Sequence, residues 1–223
     1  MNPIALRLVI QEPMTAATDI LIAAVSFYAY FRLRRKWPSP RPHEQLYLLF
    51  FLIMGISTVF GAFLNHAFAY FFPPGNYNLL PNWLTNVLSV CCYPLAIAGR
   101  ADQVRPLPSR KIWITATLVE TAAVLALTIW KLSYLYGEIH IAICLYLLSL
   151  PLFIRIGKDG HWQEARPAIF AIALMSFIPV ILVTKFHIGS FMIDFDISHV
   201  VIAIAMYLYY RAGLRWRSGN IIG

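Results

Sequence analysis

The sequence predicts an all-α, polytopic membrane protein: one seven-transmembrane-helix domain spanning residues 1–223, with its N-terminus outside and its C-terminus cytoplasmic. Three observations carry this. Of the 223 residues, 60% are hydrophobic and only 13% are charged, and the mean hydropathy is +0.66, well above that of a water-soluble domain. Apolar runs near the ~20 residues needed to cross a bilayer core recur along the chain. Basic residues cluster after every second run.

Each span follows from its own stretch. The first, Thr15 to Leu33, comes just after Pro13, which suits the first helical position and makes Glu12 a candidate N-cap. The second, Gln45 to Phe71, follows the breaker-rich "KWPSPRPH" and carries Gly55 and Gly61, which permit close helix approach. The third, Trp83 to Ala98, is short and follows "FPPGNYNLLP"; the fourth, Ile112 to Trp130, follows "RPLPSR". The fifth runs from Leu135 to Ile154. The sixth, Ala168 to Thr184, is again short and follows "GKDGHWQEARP", and the seventh covers Ile193 to Tyr210. Trp83, Trp113, Trp130, Tyr134 and Trp216 suit interfacial anchors.

Charge sets the orientation. Arg32, Arg34, Arg35, Lys36 and Arg41 follow the first span; Arg100, Arg105, Arg110 and Lys111 the third; Arg155, Lys158 and Arg166 the fifth; Arg211, Arg215 and Arg217 the seventh. Fifteen of the 18 basic residues thus fall on one side, leaving Arg7, Lys131 and Lys185 on the other. By the positive-inside rule the rich side is cytoplasmic. The net charge of +8 is therefore spread over membrane-flanking loops, which excludes nucleic-acid binding. Cys91, Cys92 and Cys144 lie within apolar runs and imply no disulfide framework. The N-terminal stretch lacks the basic region and small-residue site of a cleaved signal peptide.

With orientation assigned, titratable residues gather in one layer. His66, His140, His187 and His199 fall in the outer half with Glu12, Asp19, Glu138, Asp194 and Asp196, while Glu120 lies near mid-membrane. His43 and His161 belong to the cytoplasmic side. Ionisable groups inside a bilayer are costly and mark functional sites. Glu12 and Asp19, seven apart, share a helical face; Asp196 and His199, three apart, share another; Tyr136, His140 and Cys144 form a stripe. Ser57 lies about half a turn out of phase with His66 in a straight helix.

Imidazoles from the second, fifth and seventh spans, His66, His140 and His199, match the donors of a catalytic zinc site with an open position. Zinc there would activate water and polarise an acyl carbonyl. Asp196 would orient His199 or act as general base, and Asn65, Thr58 or Ser57 would donate to an oxyanion. Glu12 and Asp19, with Asp194, suit a separate calcium site. The whole plan, with acid in the first helix, histidine in the second, and acid plus histidine in the seventh, resembles the superfamily of alkaline ceramidases, adiponectin receptors and Per1-type proteins. The resemblance implies an intramembrane zinc hydrolase of a lipid amide or ester, with membrane lipids around it and a lipid-like substrate. The chain departs from that pattern at Ala62, where the family has serine four before the histidine, and at Phe195 and Ala203, which flank a single His199.

Other function classes use the same residues differently: axial haem ligation by the outer histidines, a proton or cation path through Asp19, Glu120 and Asp196, or a non-enzymatic subunit whose polar layer binds another chain. Retinal binding is disfavoured, because the last span has no mid-membrane lysine.

Overall fold

Apolar runs bounded by proline and glycine fold into helices, because inside a bilayer a helix satisfies every backbone polar group within its own segment. The computed structural model describes residues 10–72, 76–189 and 192–216. Arg7, Arg217 and the Pro-Pro-Gly of the second loop lie outside the described residues.

Helix α1 spans Pro13–Lys36 and α2 spans Pro42–Phe60, continued by a π-helical segment, Gly61–Ala67. Single 3₁₀ turns, Ala69–Phe71 and Asn76–Leu79, lead to α3, Leu80–Val104. Helix α4 spans Arg110–Lys131. Next come α5 (Leu135–Ala142), a second π segment (Ile143–Ser149) and α6 (Leu150–Ile156). Gly157–His161 follows, with Asp159 and Gly160 off helical dihedrals; Gly160, at φ 96°, takes a conformation that favours glycine. Helix α6 packs against α7 (Trp162–Met175) across this break. Helix α8 (Phe177–Thr184) ends at Lys185, and α9 spans Asp194–Gly213.

Among the described residues, five helical stretches are long and apolar enough to cross a membrane: Pro13–Lys36, Pro42–Ala67, Tyr77–Val104, Arg110–Lys131 and the 50-residue Leu135–Thr184, which contains the break. Two boundaries differ most from the sequence expectation. Helix α3 is 25 residues long, because its turns past Ala98 carry Arg100, whose guanidinium is buried against Glu164. Helix α7 begins at Trp162 and holds Pro167 inside it, since a membrane bundle tolerates a proline that sequence reasoning treats as a stop.

The bundle has two unlike ends. At one, Trp37 just after α1, Tyr47 early in α2, Tyr93 on α3 and Tyr209 and Trp216 at the end of α9 form an aromatic core; Tyr47 and Trp216 ring centroids are 4.3 Å apart and Tyr47 and Tyr93 5.9 Å apart. Tyr47 Oη donates to the Tyr209 carbonyl at 2.6 Å, tying α2 to α9. Arg100 donates to both Glu164 oxygens, at 2.8 and 2.7 Å, fastening α3 to α7. The opposite end, where α1 and α9 begin and α2 finishes, carries the polar cluster. The outer surfaces of α4 and α8 are apolar, with Ile112, Val119, Trp130 and Val183 all exposed, as a lipid-facing surface requires.

Candidate functional site

The cluster is built by three elements. Gln11 and Glu12 donate backbone N–H groups to the carbonyls of Ala67 and His66 (3.3 and 3.0 Å), fastening the segment before α1 to the end of the π segment. Glu12 occupies the N-cap position, yet its side chain makes no cap bond. Its carboxylate instead meets His66 Nδ1 at 2.6 Å. Two turns later Asp19, buried on α1, places Oδ2 at 3.7 Å from His66 Nε2 and Oδ1 at 3.7 Å from His199 Nδ1 on α9. The two imidazole centroids are 6.2 Å apart, edge to face.

The hydrogen bonds fix the tautomers. Thr18 Oγ1 spends its single proton on the Thr15 carbonyl at 3.0 Å, so at 3.1 Å it accepts from His199 Nδ1. His199 Nε2 is then the bare nitrogen. His66 gives its Nδ1–H to Glu12, leaving Nε2 turned toward Asp19 across a gap too long for a hydrogen bond. No hydrogen bond to the Asp19 carboxylate exists among the described residues, although the residue is only 5% exposed. A buried carboxylate so placed calls for a cation or proton beside it.

Gly61, the first residue of the π segment, makes the approach possible. A Cβ there would lie 2.6 Å from Asp19 Oδ2 and 3.2 Å from Asn82 Nδ2. Asn82 is in turn aimed by Ser57, whose hydroxyl lies 2.8 Å from Asn82 Oδ1 and 2.9 Å from its carbonyl. The fully buried Ser57 therefore serves as an anchor between α2 and α3, and the amide of Asn82, not Ser57, is the donor that reaches the Asp19 notch. Asn65 Oδ1 is buried without a partner. Thr58 donates back to the Met54 carbonyl of its own helix at 3.1 Å, as buried threonines in helices do.

The remaining sequence candidates go elsewhere. Asp196 is buried and accepts the Ile193 N–H at 2.9 Å, stabilising the start of α9; its Oδ1 is buried and unpartnered. It makes no hydrogen bond to His199 among the described residues. Glu12 and Asp19 both face His66, so the donor set around the two carboxylates is mixed nitrogen and oxygen. His140 does not join His66 and His199. Its ring turns to α3 and α4, with Nε2 3.0 Å from the Val87 carbonyl and Nδ1 2.6 Å from Glu120 Oε2. Glu120, His140 and Cys144 offer ligand atoms within 4.8 Å of one another and could hold a metal ion. His187 and Glu138 are exposed.

A groove of about 630 Å³ between α7 and α9, lined by Trp162, Arg166, Phe170, Tyr207 and Arg211, opens at the far end of α9 from His199 and takes no part in the cluster. Sequence reasoning missed Thr18 and the Glu120–His140 pairing. The only signals for them were a threonine beside Asp19 and an isolated acid in an apolar helix.

No curated protein and no solved structure matches the chain. A family model described as a family of unknown function, DUF6962, matches residues 14–218, and the chain belongs to that family.

Proposed function

We propose that the chain is an integral, seven-span membrane protein with its N-terminus outside, and that the Glu12, Asp19, His66 and His199 cluster is the site of a metal-dependent hydrolase acting on a lipid amide or ester from the outer half of the bilayer. The break at Asp159 and Gly160, which divides the longest apolar stretch in two, and the 20-residue α9 support the span count. The basic residues that follow alternate spans support the orientation.

One observation carries the chemical reading: the buried Asp19 carboxylate stands between two imidazoles at 3.7 Å from each, with no hydrogen bond of its own among the described residues. Nitrogen and oxygen ligands about 2.0–2.2 Å from a tetrahedral zinc lie roughly 3.4 Å from each other. The observed separation is near that edge and too long for a shared proton. The bare His66 Nε2 and an Asp19 oxygen are donors used by catalytic zinc, and the absence of a side chain at Gly61 lets that carboxylate approach; His199, whose Nδ1–H is given to Thr18, stands beside them as a base.

Zinc held there would supply Lewis acidity toward an acyl carbonyl or water. The chain's own groups supply the rest. Glu12 fixes the His66 ring as outer-shell carboxylates fix metal-ligating histidines. Thr18 sets the tautomer of His199 and leaves its Nε2 free to accept a proton. Asn82, locked by Ser57, presents amide protons to a developing oxyanion.

The test is elemental analysis and lipid hydrolysis by the detergent-purified protein, with Asp19→Asn and His66→Ala alongside. The expectation is a zinc ion lost in both variants together with hydrolysis of an N-acyl or O-acyl lipid. A well-folded wild type whose metal content and activity match those of Asp19→Asn would refute the reading.

A further inference from the structure

We propose that Glu120, His140 and Cys144 form a second metal site, selective for zinc, buried between α3, α4 and α5 and independent of the outer cluster. Its ligands come from two helices. Glu120 lies in the middle of α4, while His140 and Cys144 stand one turn apart at the junction of α5 with its π segment. His140 and Cys144 are fully buried.

Four features of the chain support a metal over a plain buried pair. The Val87 carbonyl can only accept, so His140 Nε2 carries a proton at 3.0 Å from it and Nδ1 becomes the ligating nitrogen. A metal-bound histidine typically gives its other N–H to a carbonyl or carboxylate in this way. Cys144 Sγ lies beside the ring, 3.6 Å from that Nδ1 and 3.7 Å from Nε2. Zinc–sulfur and zinc–nitrogen bonds of about 2.3 and 2.0–2.1 Å in a tetrahedron set their ligands about 3.6 Å apart.

The third feature is the carboxylate. Glu120 Oε2 is 2.6 Å from Nδ1, and Glu120 Oε1 is buried with no partner. For both oxygen and nitrogen to bind one ion the carboxylate must withdraw by about 0.7 Å, toward the roughly 3.3 Å edge of the tetrahedron. Glu120 is the least enclosed of the three side chains, so it is the one able to move.

The fourth is charge. On loading, the Cys144 thiol gives up its proton, and one thiolate and one carboxylate balance the +2 ion. The site is then neutral, which a position deep among apolar helices demands. The mixed sulfur, nitrogen and oxygen donors favour zinc over magnesium or calcium, which take oxygen ligands.

Sulfur separates this site from the outer one, whose donors are nitrogen and oxygen only. The experiment is zinc-edge X-ray absorption, with near-ultraviolet absorbance after cobalt substitution, on detergent-purified wild type, His66→Ala, Cys144→Ser and Glu120→Gln. Wild type and His66→Ala should both show a metal–sulfur shell near 2.3 Å and a thiolate-to-cobalt band. Cys144→Ser should lose both signals, and Glu120→Gln, which keeps the side-chain shape, should bind the ion roughly tenfold or more weakly. If Cys144→Ser does not fold, the Glu120→Gln affinity and the wild-type sulfur shell decide. A folded wild type with no sulfur shell, or an undiminished shell in Cys144→Ser, would overturn the proposal; loss of hydrolysis with the sulfur shell intact bears on the outer cluster alone.

Discussion

Replacing Gly61 with alanine separates packing from ligation at the outer cluster. Gly61 has φ −54° and ψ −55°, ordinary helical values, so alanine meets no backbone strain and gains about 0.5–1 kcal/mol over glycine from helix propensity. The new Cβ, however, would stand 2.6 Å from Asp19 Oδ2, and ordinary contact begins at 3.4 Å. The carboxylate must retreat by the difference, about 0.8 Å, or the π segment must move with His66 on it. Overpacking of this kind costs about 1–3 kcal/mol, so the net loss of stability is roughly 0–2.5 kcal/mol. Ligation is far less forgiving, because metal–ligand distances hold to about ±0.2 Å. Gly61→Ala should therefore fold, melt within about 10 °C of wild type, and bind zinc at least about tenfold more weakly in a competition titration in detergent. A folded Gly61→Ala protein with wild-type zinc affinity would falsify the assignment of Asp19 as a ligand.

Three further changes probe other parts of the molecule. Glu164→Gln leaves the Arg100 guanidinium buried without its charge partner and should destabilise the protein by about 3–5 kcal/mol, read as a lowered thermal midpoint in detergent; a shift within error of wild type would show that the α3–α7 clamp carries no weight. Ser57→Ala releases Asn82 and should cost about 1 kcal/mol of stability while leaving zinc stoichiometry unchanged, whereas loss of the ion would make Ser57 part of the ligand system. Cysteines introduced at Ser109, before α4, and at Ser133, after it, should react with a membrane-impermeant maleimide from opposite sides of sealed vesicles, and labelling of both from one side would refute a crossing by α4.

The helices were legible because their signal is long and simple: about 20 apolar residues between breakers. The convergence of some polar residues was legible too: Glu12, Asp19, His66 and His199 could be assigned to one layer before any contact was known. Partnership was not. His140 was assigned to the same half as His66 by its place in its span, yet its ring turns to Glu120 and Val87, because rotation about a helix axis is set by packing against neighbours rather than by distance along it. Ser57 illustrates the second limit. Its phase relative to His66 follows from a straight helix, but Gly61–Ala67 is π-helical, and such a segment alters the phase of everything beyond it. No residue in GAFLNHA announces that change; Gly61 is explained only when Asp19 is seen occupying the space its side chain would need.

The two sites share a construction whose distances assign different starting states. In each, one ring nitrogen is committed to an acceptor, Glu12 for His66 and the Val87 carbonyl for His140, and the other nitrogen faces a carboxylate oxygen. Two lone pairs facing one another repel unless something positive lies between them. At 2.6 Å, His140 and Glu120 are at the separation of a strong charge-assisted hydrogen bond, so a proton suffices and a metal must push them apart. At 3.7 Å, His66 and Asp19 are beyond hydrogen bonding and close to the span of two ligands on one ion, so a metal enters without moving either. Stripped protein titrated with zinc should therefore fill the sulfur-free outer site before the sulfur-containing inner one. X-ray absorption at half an equivalent would then show nitrogen and oxygen neighbours alone, and a sulfur shell at that first half-equivalent would reverse the assignment.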